Sequence, residues 1–61
     1  MKPKCKLTGE DGNIFNLTGK AAKVLRKVGM VDKAKEMSAK VIKSHSYTEA
    51  LAIIAEYVEV S

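Results

Sequence analysis

The chain has no tryptophan, one cysteine (Cys5), one histidine (His45), one proline (Pro3) and three aromatic rings (Phe15, Tyr47, Tyr57). A single cysteine cannot close an intramolecular disulfide or form a cysteine-rich metal site. The expected setting is therefore a reducing, cytoplasmic one rather than that of a secreted disulfide scaffold. No apolar run approaches the roughly 20 residues that a membrane-spanning helix needs. The start, Met1-Lys2-Pro3-Lys4, lacks the apolar segment of a signal peptide. Cation is also missing from one region: none of the eleven Lys and Arg residues lies beyond Lys43. Residues 1–43 hold eleven basic and four acidic side chains, about +7, whereas residues 44–61 hold only Glu49, Glu56 and Glu59.

What is present predicts one domain, 1–61, mostly α, with three helices behind a short extended leader over 1–12. Sixty-one residues stand near the lower limit for folding without a metal or disulfide. A first helix is predicted from about Asn13 to Val28. Ile14, Phe15, Leu17, Ala21, Ala22, Val24, Leu25 and Val28 share one half of its wheel, and Asn16, Lys20, Lys23, Arg26 and Lys27 the other. Gly29 is its left-handed stop. A rival pattern, a hairpin of Lys4–Thr8 with Asn13–Leu17 around Asp11-Gly12, breaks the stripe that continues to Val28.

A second helix is predicted over about 32–43, with Ala34, Met37, Ser38, Val41 and Ile42 inward and Met30 and Val31 at its start. Glu36 and Lys40 stand in the favourable i,i+4 order. A third helix is predicted over about 46–59. It opens on a capping box, Ser46-Tyr47-Thr48-Glu49. Its inward stripe is Tyr47, Ala50, Leu51, Ile54, Ala55 and Val58, widened on one flank by Ile53, Tyr57 and Val60.

Gly9-Glu10-Asp11-Gly12-Asn13, Phe15, Gly19, Leu25-Arg26-Lys27, Gly29, Tyr47, Leu51 and Tyr57-Val58 together resemble a family of very small bacterial proteins. The resemblance implies a compact helical domain. It implies no activity and no functional residues. His45-Ser46 departs from the family's pattern, which has a Gly-Asp pair before the tyrosine.

For function, catalysis is not expected. A Cys–His pair needs both groups within hydrogen-bond reach, and nothing in the spacing brings Cys5, in the leader, to His45, in the second loop. Lys4 and Lys6 beside Cys5 tend to lower a thiol's pKa, yet its ordinary role is packing with Leu7. Glu10, Asp11 and Asn13 are too few oxygens for a calcium loop and read as a polar turn, with Asp11 or Asn13 capping the first helix. No metal, cofactor or small-molecule substrate is expected.

The expected function is a small non-catalytic protein-interaction module, with another protein or a second copy of itself as partner. Homodimerisation through Ile53, Tyr57 and Val60 of the third helix is its specific form. The alternative is weak, non-specific nucleic-acid binding by Lys20, Lys23, Arg26 and Lys27. Four phosphate contacts give a salt slope of only about −3.6. A helix-turn-helix reader is disfavoured, because the third helix carries glutamates and no Lys, Arg, Asn or Gln. Membrane-surface binding by the first helix would remove its apolar half from a core with little to spare.

Overall fold

Asparagine and serine caps, together with one glycine stop, set three of the six helix ends in the computed structural model, which describes residues 2–7 and 12–60. The elements are β1 (Lys4–Cys5), α1 (Ile14–Lys27), α2 (Val31–Ile42), α3 (Tyr47–Tyr57) and β2 (Glu59–Val60). The fold is mostly α, three helices with a short extended N-terminal segment, as the patterning predicts. Asn13 caps α1, its side-chain oxygen accepting from the Phe15 amide at 2.8 Å. Glu10 and Asp11, the other candidates for that turn, lie outside the described residues.

At the far end of α1, Gly29 adopts φ +84°. The Gly29 amide donates to the Arg26 carbonyl at 3.0 Å and the Met30 amide to the Leu25 carbonyl at 2.7 Å. These paired bonds are the Schellman closure, and the left-handed residue it requires is cheapest as glycine. The chain then turns directly into α2, whose first turn carries Asp32 at the positive end of the helix dipole. Ser46 caps α3, its hydroxyl accepting from the Glu49 amide at 3.0 Å.

The third helix is shorter than its apolar stripe predicts. It ends at Tyr57, and Val58 is extended with φ −132° and ψ 152°. Glu59 and Val60 instead pair in parallel with Lys4 and Cys5, and the Glu59 amide donates to the Pro3 carbonyl at 2.8 Å. Val58 and Val60 are β-branched and suit an extended backbone. The leader offers a strand, which wins over one further helical turn. The rival hairpin does not form, since residues 14–17 are helical and β1 finds its partner at the other end of the chain.

The core is centred on Leu25, Met37, Ile54 and Val58, all fully buried, one from each helix and one from the segment after α3. Cys5 and Leu7 join it from the leader. Several side chains assigned inward by the helical wheel are outside: Phe15 and Ile42 are each 78% exposed, and Val28, Tyr47 and Ala55 are exposed too. A three-helix domain of this size has too few neighbours to cover a whole helical half. Each helix therefore buries a narrow strip, for α2 Ala34, Met37 and Val41. No helix among the described residues is long and apolar enough to cross a membrane.

Candidate interaction surface

The flank predicted as an interface, Ile53, Tyr57 and Val60, is not one exposed face. Ile53 is half-buried and packs on the core, Tyr57 is buried, and Val60 is exposed on β2 rather than on the helix. Tyr57 is in fact the centre of a closed polar corner between α2 and α3. Its hydroxyl donates to Glu36 Oε2 at 2.5 Å, and Lys40 Nζ lies 5.2 Å from the ring centroid. Lys33 stands 3.9 Å from Glu36, and Lys40 stands 3.9 Å from Glu56. The predicted Glu36–Lys40 pair thus meets through the ring of Tyr57.

Charge in this corner is internally matched. The phenol's hydrogen bond, and then Lys33, hold the Glu36 carboxyl below the usual carboxylate range. The same bond pushes the Tyr57 phenol above its usual value. The Tyr57 phenol, and then Glu56 and Glu36, raise Lys40. Lys2 adds a clasp from the leader, its Nζ donating to the Ala55 carbonyl at 2.9 Å. Such an arrangement ties two helices together and pairs both carboxylates with cations.

Cys5 is only 2% exposed. Burial raises its thiol above the usual value, and the charge of Lys20 opposes this only in part. The flanking Lys4 and Lys6 both point outward into solvent. The expected lowering by sequence neighbours is therefore replaced by desolvation. Packing with Leu7 in the core is its role. No group of three or more His, Cys, Asp or Glu side chains among the described residues is placed to hold a metal ion.

Lys20, Lys23, Arg26 and Lys27 are all exposed on α1. They do not act on one surface alone. Lys20 faces the leader closely enough to act on Cys5, whereas Arg26 lines a groove on another side of the helix.

That groove has a volume of about 710 Å³. One wall is α1, through Ile14, Phe15, Thr18, Gly19, Ala22 and Arg26. The other is the C-terminal half of α2, the turn 44–46 and the first turn of α3, where Ile42, His45 and Tyr47 form the rim and Val41 and Ala50 the floor. The α1 wall follows from spacing: Phe15, Gly19, Ala22 and Arg26 fall within about 60° of arc. Gly19 has nothing within 4 Å of where a Cβ would stand. A large residue followed by small ones on the same strip leaves a channel beside Phe15. The inward wheel assignment of Phe15, Ile42 and Tyr47 hid this site. The interruption of the apolar strips by Gly19 and Ser38 was the signal that could have found it.

No protein-family model matches the chain, and no curated protein or solved structure is significantly similar to it.

Proposed function

We propose that this chain is a non-catalytic protein-interaction module that seats an apolar helical segment of another protein in the groove between α1 and the α2–α3 corner. One observation carries the reading. Three large apolar side chains, Phe15 and Ile42 at 78% and Tyr47 at 48% exposure, rim a single groove of about 710 Å³. Scattered exposed apolar residues are ordinary, but a contiguous patch around a concavity marks a contact surface. A groove floored by Val41 and Ala50 and rimmed by aromatic and branched side chains suits an amphipathic helix with anchors at i, i+3 or i+4, and i+7. The buried Cys5, with its thiolate disfavoured, lends no support to nucleophilic chemistry. Self-association through α3 is not favoured, because Tyr57 is occupied in the core.

A titration of the ¹⁵N-labelled protein with a helical Ala/Gln peptide bearing three Leu anchors tests this reading. Shifts confined to Phe15, Gly19, Ile42, Tyr47 and Ala50, and lost in Phe15→Ser, are expected. Shifts at β1 and β2 instead would sink it. Light scattering at micromolar concentration should report a monomer.

A second reading, weak nucleic-acid binding, draws on the exposure of Lys20, Lys23, Arg26 and Lys27 along α1. Its test is a salt titration with duplex and single-stranded oligonucleotides, where four phosphate contacts predict a slope of about −3.6. Absence of binding at low salt ends it.

A further inference from the structure

We infer that the helix seated in this groove carries carboxylates on its flanks, with one placed against Arg26. The inference rests on the interaction reading above and adds the partner's charge. Arg26 is the charged Lys, Arg, Asp or Glu side chain lining the groove, and no carboxylate is among the described lining residues. Arg26 makes no ion pair with a described residue. The exposed cations nearest in sequence spacing extend the field: Lys23 lies one turn before Arg26, Lys35 one turn before Ser38, and Lys43 directly after Ile42.

Of the described acids, Glu36 and Glu56 are engaged at the other corner, whereas Glu49 stands exposed on the first turn of α3. Glu36 accepts from Tyr57 and faces Lys33, and Glu56 faces Lys40. The groove mixes apolar side chains with Thr18, Ser38, Ser44, His45 and Ser46, and among the described lining residues its one Lys or Arg is Arg26. A second copy of this chain would set a +4 molecule, with its own Arg26 strip, against the same strip. Like charges brought face to face suppress that pairing. A partner with acidic flanks gains the opposite effect, in faster encounter and in a fixed orientation. Guanidinium suits the task, since it takes a carboxylate through two parallel bonds. Arg26 belongs to the C-terminal end of α1 and Phe15 to its first turn. A carboxylate against Arg26 therefore fixes the docked helix at the C-terminal end of α1.

Three labelled helical peptides with the same Leu face and flanks of Glu, Gln or Lys provide the test, by fluorescence anisotropy at low and high salt. The Glu peptide should bind roughly tenfold more tightly than the Gln peptide, the value of one charge-assisted pair. The Lys peptide should bind most weakly, and the spread should shrink at high salt. Arg26→Gln should remove most of the Glu advantage, whereas Lys6→Gln, in the leader, should leave it in place. Equal affinity of the Glu and Gln peptides, or an Arg26→Gln variant that keeps the difference, overturns the acidic flank while the groove reading survives. No groove shift with any of the three peptides overturns both.

Discussion

The two tyrosines of α3 stand at its opposite ends and are used in opposite ways. Tyr57 is buried, its hydroxyl given to Glu36 and its ring covered by Lys40. Tyr47 is 48% exposed on the groove rim, with its hydroxyl 3.6 Å from where a Cβ on Gly12 would stand. A phenol goes inside readily when its polar tip finds a partner there. At the C-terminal end of α3, α2 supplies that partner and the cations that balance it. At the N-terminal end the chain turns through Ser44, His45 and Ser46, and the ring stays out. One corner therefore closes the fold, and the other remains available for contact. In a domain this small the same three helices cannot complete both.

The comparison predicts a large difference in stability. Tyr57→Ala removes a ring from the core and leaves Glu36 without its donor, and a domain of this size has little margin to absorb that. We expect an urea-unfolding midpoint so low that much of the chain is unfolded at 25 °C. Tyr47→Ala, measured the same way, should leave the midpoint nearly unchanged and instead abolish the peptide shifts at the groove. Comparable losses from the two substitutions would break the distinction between a closing corner and an open one. A core truncation without a polar partner, Ile54→Ala, calibrates the series at about 2–5 kcal/mol.

Local signals in the chain were legible and long-range ones were not. Asn13, Gly29 and Ser46 mark helix ends through bonds within a few residues, and each holds in the structure. The end of α3 depends on a strand pair between Glu59–Val60 and Lys4–Cys5, a partner that no local periodicity reveals. Val58 reaches the core in either reading, so the apolar stripe did not distinguish helix from strand. The groove proposed as the interaction surface lies away from the flank expected from the sequence for a related reason. A helical wheel says which half of a helix is apolar, but how much of it is covered depends on how many neighbours it has. Phe15 and Tyr57 both read as apolar-face residues, and only packing separates the exposed one from the buried one.

A smaller effect distinguishes the two sides of α1. Gly19→Ala adds a Cβ into open space on the groove wall and replaces the poorest non-proline helix former with the best. Stability should rise by up to about 1 kcal/mol, roughly 4–8 °C in Tm for a domain of this size. The added methyl narrows the groove, so affinity for the Leu-anchored peptide should fall. A variant that is more stable yet binds less well separates the groove's role from the fold's. If Gly19→Ala binds the peptide as well as the parent chain, close approach at this wall is not part of recognition.

The smallest expected effect tests the closed corner through its protons. Tyr57 holds its proton more tightly than a free phenol because Glu36 accepts from it, and Glu36 is easier to ionise for the same reason. The signs follow directly. Stability from Glu36 is present above the ordinary carboxylate range and is lost as pH falls through its lowered value. Stability from Tyr57, and from the buried Cys5 thiol, is present at neutral pH and is lost as pH rises through their raised values. Glu36→Gln removes the carboxylate while keeping an acceptor. The Tyr57 titration, followed by ultraviolet difference absorbance, should then move down toward its ordinary value, and the acid limb of the stability curve should flatten. The change in midpoint at neutral pH should be slight, because Glu36 is half exposed and solvent screens its charge. An unmoved phenol titration in Glu36→Gln would mean that burial, rather than the Glu36 bond, holds the Tyr57 proton. The closing corner would then owe its order to packing alone, and the contrast with Tyr47 would reduce to the number of apolar neighbours around each ring.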